Sequence, residues 1–111
     1  MTLPNAERAI VPREKLVGYL LSKDHPIGRY KAQVLAGCGY NIATVDTFAS
    51  GLMEIAREGE LTNSIETQFG WKYTVDGMLP CSGKDPLRLR TVWIVEKAAD
   101  ARRLVTAYPA S

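Results

Sequence analysis

The chain has 111 residues, 46% hydrophobic and 23% charged, the make-up of one globular domain (1–111) with a modest core rather than a disordered segment. A net charge of +2 does not mark a nucleic-acid binder by composition; a basic site would have to arise from clustering on one face. No apolar run approaches the length of a membrane span and the first five residues lack signal-peptide character, so a cytoplasmic protein without membrane contact is expected.

Residues 1–11 read as an extended lead-in with a short apolar patch at Ala9, Ile10 and Val11. Pro12 suits the first position of a helix, where its missing N–H costs nothing. Leu16, Val17, Leu20 and Leu21 then give residues 13–22 one apolar helical face, weakened by Gly18. A turn at 22–26 leads to a second helix at 27–36, with Ile27, Tyr30, Val34 and Leu35 on one side. Gly37 and Gly39 end it. A third helix at 47–58 carries Phe48, Leu52, Ile55 and Ala56, is capped by Thr44 or Asp46, and stops at Gly59.

From Glu60 the hydrophobic period changes to two. Residues 61–69 read as a polar edge strand, and 71–75 as a half-buried strand alternating Trp71, Tyr73 and Val75 with Lys72 and Thr74. Residues 80–86, with two prolines and a glycine, read as a loop. In the strongest strand, 87–95, one face carries Arg88, Arg90, Val92 and Ile94; the other carries Leu89, Thr91, Trp93 and Val95. A polar connection at 96–102 precedes a last strand at 104–108. Helices followed by strands predict an α+β fold: N-terminal helices packed on one face of a C-terminal four- to five-stranded antiparallel sheet.

Two groups of residues could carry chemistry. The single histidine, His25, stands just before a helix N-terminus, with Arg29 and Lys31 in the first turn. Free N–H groups and partial positive charge there attract phosphate, and a histidine exchanges protons near pH 7, so a phosphodiester site can be built at this point. The competing reading is a His25-Pro26 turn with a capping or solvated imidazole. The second group lies in the sheet: Arg88, Arg90, Thr91 and Trp93 on one strand, Lys72 on its neighbour, Thr106 and Tyr108 on the last. A face left open by the helices would offer RNA cations for phosphates, hydroxyls, and an aromatic ring for stacking. Its competing reading is cross-strand packing by Trp93 and Tyr108, with Arg90 and Lys72 as solvated charges.

Cys38 and Cys81 lack any CxxC context and are expected as two reduced thiols. With one histidine they do not make a zinc site, so neither metal nor cofactor is expected. Cys38 lies a helix length from His25, which sets a cysteine nucleophile aside. Phosphate-loop and Gly-x-Ser-x-Gly patterns are absent from the sequence.

Taken together, several stretches resemble a bacterial family catalogued as a domain of unknown function. They are Leu3-Pro4-Asn5-Ala6-Glu7-Arg8-Ala9, Lys15-Leu16 with Tyr19-Leu20-Leu21, His25-Pro26 with Gly28, Lys31 and Ala32, and Gly39-Tyr40. Further along come Gly70, Lys72, Tyr73, Val75 and Gly77, then Arg90-Thr91-Val92-Trp93, then Leu104-Val105-Thr106-Ala107-Tyr108-Pro109. That family occurs as small stand-alone proteins and at the C-termini of large secreted toxins. The resemblance implies a toxin, and its layout is similar to the barnase–EndoU–colicin–RelE group of metal-independent ribonucleases. A single histidine departs from the two-histidine members of that group and rules out their mechanism here.

The expected protein is therefore a metal-independent endoribonuclease toxin acting on RNA and held by a small antitoxin or immunity protein. Its catalytic residues would be His25, Lys31, Arg90 and Thr106. Arg29, Lys72, Thr91, Trp93 and Tyr108 would bind substrate. The alternative is a non-catalytic protein-binding module of a two-gene bacterial system.

Overall fold

A computed structural model describes residues 1–21, 29–96 and 101–110. A 3-10 turn (Ala6–Arg8) and a two-residue strand β1 (Ala9–Ile10) lead to a short helix α1 (Arg13–Lys15) that runs into a π-helical segment (Leu16–Leu20). Next come α2 (Arg29–Gly37), a 3-10 turn (Ile42–Thr44) and α3 (Val45–Glu58). The second half is β2 (Glu60–Thr67), β3 (Gly70–Cys81), β4 (Lys84–Glu96) and β5 (Arg102–Pro109). These strands form one five-stranded sheet in the order β1-β5-β4-β3-β2. The expected α+β architecture stands. The fifth strand comes from the N-terminal lead-in, and it pairs parallel to β5 while every other pair is antiparallel.

Helix α3 buries Val45, Phe48, Leu52, Ile55 and Ala56, a spacing that turns one stripe towards the sheet. Val75, Leu79, Leu89, Trp93 and Leu104 answer from β3, β4 and β5 and complete a single core on one sheet face. Close approach depends on two glycines: a Cβ on Gly51 would stand 2.6 Å from Leu79, and one on Gly77 would stand 2.8 Å from Ile55. A larger residue at either place would push helix and sheet apart.

Four expectations need correction. The first helix does not continue as α: Leu21 N–H donates to the Leu16 carbonyl at 2.7 Å, a five-residue repeat, and Gly18 at its centre lowers the cost of leaving the α geometry. The expected loop at 80–86 is instead a tight hairpin of two residues, Ser82 and Gly83, with Gly83 at φ 69°. Pro80 is accommodated at a register shift between Leu79 and Cys81. The cysteines are not reduced thiols but a disulfide, Cys38–Cys81, tying the end of α2 to that hairpin. Ser82 N–H also donates to the Cys38 carbonyl at 3.0 Å, which brings the two ends together.

The fourth concerns Thr91 and Trp93, expected to contact RNA. Both are fully buried on the helix-covered face. Trp93 Nε1–H donates to Thr91 Oγ1 at 2.8 Å, and Thr91 Oγ1 donates to the Val75 carbonyl at 2.7 Å. The alternation in β4 that turns Arg88 and Arg90 outward necessarily turns Thr91 and Trp93 inward. Their polar atoms are matched within the core, so neither can stack on or bind a substrate.

Candidate functional site

The outer sheet face is laid out by strand register. Asp76 on β3, Arg90 on β4 and Tyr108 on β5 form one cross-strand row. Thr74, Val92 and Thr106 form the next row, and Lys72, Ile94 and Arg103 the one after. Between the last two rows β5 carries an extra residue, Val105, because Trp93 pairs with Leu104 and Val92 with Thr106.

Asp76 is the unexpected member. It sits on the outer face yet is only 4% exposed. Arg90 grips it with two parallel bonds, Nε to Oδ1 and Nη2 to Oδ2, both 2.9 Å, and Arg88 Nη2 reaches Oδ2 at 3.2 Å. The Arg90 guanidinium, with Arg88 behind it, holds the Asp76 carboxyl below the usual carboxylate range against the opposing effect of burial. In return the carboxylate raises the pKa of Arg90, with a smaller contribution from Tyr108. Two cations on one carboxylate leave one net positive charge, and both arginines keep an outward side, with side chains 36% and 51% exposed.

Lys31 joins from α2. Its ammonium donates to Thr106 Oγ1 at 3.0 Å and stands 5.6 Å from the centre of the Tyr108 ring. Four residues named from sequence, Lys31, Arg90, Thr106 and Tyr108, therefore meet on one surface, although Lys31 and Thr106 are 75 positions apart. Arg88, grouped with the sheet residues from sequence, belongs to the same surface, as does Asp76, which was not among the expected residues. A signal for Asp76 existed: it continues the Lys72, Thr74 alternation and so shares the face of Arg88 and Arg90.

Lys72 lies on this face but four residues along β3 from Asp76, about 13 Å at the usual strand rise. It is not part of the cluster. His25 lies outside the described residues, as does the side chain of Arg29. Among the described residues, no group of three or more His, Cys, Asp or Glu could hold a metal ion, and no helix is long and apolar enough to cross a membrane.

The cluster can hold an anion. Its positive charge is fixed in place by the Asp76 clamp rather than carried on free side chains. The Thr106 and Tyr108 hydroxyls lie beside it for hydrogen bonding. Asp76 is a poor proton acceptor, since two guanidiniums stabilise its charged form.

None of the curated protein sequences matches the chain. Among solved structures, a chain from a contact-dependent growth inhibition toxin–immunity protein complex of Klebsiella pneumoniae 342 has a similar fold, with a TM-score of 0.72 and 13% identity. The match covers 96% of this chain and 97% of that one, so the likeness extends over the whole domain, and at this identity it speaks for the fold. The family model described as a domain of unknown function (DUF6883) matches residues 2–111, and the chain belongs to that family.

Proposed function

We propose that the chain is a toxin domain that cleaves RNA without a metal on the outer face of its sheet, and that a small immunity protein covers this face when the toxin must be silent. The convergence of Lys31, Arg90, Thr106 and Tyr108 around the Asp76 clamp carries the reading. In this reading Arg90, Arg88 and Lys31 hold the scissile phosphate and the charge that grows on it as the neighbouring 2′-hydroxyl attacks phosphorus. Thr106 and Tyr108 orient the ribose and phosphate. The P–O5′ bond breaks, leaving a 2′,3′-cyclic phosphate on one fragment and a 5′-hydroxyl on the other. His25 is the proton carrier between the attacking and departing oxygens, since it is the one side chain in the sequence whose ordinary pKa lies near neutrality. RNA and an immunity protein are thus the partners, and the cytoplasm is the place of action.

The fold shared with a member of a toxin–immunity complex supports the wider class. A second reading, the protein-binding module, draws on a different feature. Phe69 and Trp71 are 66% and 40% exposed at the β2–β3 hairpin end, where they could anchor a partner.

Induced expression in a bacterial host separates the two readings. Growth arrest with degraded total RNA, relieved in His25→Ala, Lys31→Ala and Arg90→Ala at equal soluble protein, is the expected result. Normal growth and intact RNA at high soluble expression would leave the binding module as the better account.

A further inference from the structure

A cavity of about 530 Å³ opens beside the cation cluster, within the roughly 300–1,000 Å³ of small-molecule sites. It is lined by the apolar Ile94, Leu104 and Val105, by Gly18 of the π-helical segment, and by the charged Glu14, Lys15 and Arg103. We propose that this basin binds one nucleobase of the RNA whose phosphate the cluster holds; the inference rests on the RNA reading above and adds a base-recognition site to it.

Position comes first. Val105 is the residue next to Thr106, whose hydroxyl takes the Lys31 ammonium. Ile94 is two residues along β4 from Val92, the partner of Thr106, about 7 Å at the strand rise. Arg90 is four residues along β4 from Ile94, about 13 Å, so the basin is within one nucleotide's reach of a phosphate held at the Lys31–Thr106 end of the cluster rather than at the Asp76 clamp. The bulge in β5 brings this about, because the extra residue Val105 breaks the alternation and becomes part of the cavity lining.

The chemistry of the lining fits a base. Aliphatic side chains accept the flat face of a heterocycle, and charged groups beside them read its edge. The Glu14 carboxylate accepts from an exocyclic amine or ring N–H. The Arg103 guanidinium, steadied by its ion pair with Glu96, donates to a carbonyl or ring nitrogen. Gly18 is a third, independent feature. A Cβ built there meets nothing within 4 Å, so a side chain has open space at a position that lines the basin.

That empty space supplies the test. The four nucleoside 3′-monophosphates are titrated into the full chain and followed by backbone amide shifts. Wild type should prefer its best base over its poorest by roughly tenfold, the discrimination of one good base-edge contact pair. Gly18→Leu, which adds a side chain at the basin lining, should erase that preference with an unchanged melting temperature. Lys31→Ala should weaken all four nucleotides alike and keep the preference. Glu14→Gln, at an exposed position, should change which base is preferred and covers the case of a poorly folded Gly18 variant. Equal binding of all four by wild type, or a preference untouched in both Gly18→Leu and Glu14→Gln, overturns the basin while RNA cleavage can still stand. If wild type binds none of the four and leaves RNA intact, the RNA reading falls and takes the basin with it.

Discussion

Cutting the Cys38–Cys81 bond should cost this domain a large part of its stability. The bond closes a loop spanning 43 positions. In the chain-entropy treatment, a loop of that length raises the free energy of the unfolded chain by about 4 kcal/mol, against roughly 5–15 kcal/mol for a whole domain. With about 2.1 cal/mol/K of unfolding entropy per residue, a chain of 111 residues should melt roughly 15–20 °C lower once reduced. The assay is thermal unfolding by circular dichroism, with and without a phosphine reductant. The double variant Cys38→Ala, Cys81→Ala should melt near the reduced wild type and ignore reductant. Equal melting temperatures for the two redox states, or two free thiols by mass in the non-reduced protein, would refute the reasoning. In a reducing compartment the domain would retain only the remainder of its stability.

Three further outcomes follow from the site and its surroundings. Thr91→Val removes the acceptor of the buried Trp93 Nε1–H and should lower stability by about 2 kcal/mol in urea unfolding, with RNA cleavage per folded molecule unchanged. Asp76→Asn removes the charge-assisted bonds to Arg88 and Arg90 and should lower stability at pH 7 by about 2 kcal/mol, a loss limited because the released arginines are partly exposed and can rehydrate. The folded pKa of Asp76 is depressed, so its contribution is complete above the unfolded value near about 4 and is lost as pH falls through the lower folded value; urea midpoints against pH should show that acid loss in wild type and less of it in the variant. Lys72→Ala, about 13 Å along β3 from the clamp, should reduce cleavage far less than Lys31→Ala, as kcat/KM on a short RNA would show.

The parts of the fold legible in sequence were those written in local periodicity. The apolar stripe of α3, the change to a period of two after Gly59 and the two faces of β4 all lie within short windows, and the structure keeps them. Local reading also separates Arg88 and Arg90 from Thr91 and Trp93, and the expected grouping of all four on one binding surface ignored that separation. What was hidden depends on chain-distant meetings. The Cys38–Cys81 bond exists because the end of α2 lies beside the β3–β4 turn, and neither cysteine carries a neighbouring motif that announces it. The Lys31–Thr106 contact likewise depends on how α2 seats against β5. The role of Asp76 needed the register that sets it opposite Arg90; its residue type alone reads as a solvated strand charge. The π turn at Leu16–Leu20 looks helical by its leucine spacing, and Gly18 was the one hint of its departure.

The most direct test of the central claim is a gel assay of the purified, oxidised protein on a short RNA with excess EDTA, with fragment ends identified by mass. Fragments ending in 2′,3′-cyclic phosphate from wild type, and none from Lys31→Ala or His25→Ala at unchanged melting temperature, are the expected result. Intact RNA after incubation with folded wild type, or undiminished cleavage by both variants, would contradict a metal-independent ribonuclease built on this sheet face.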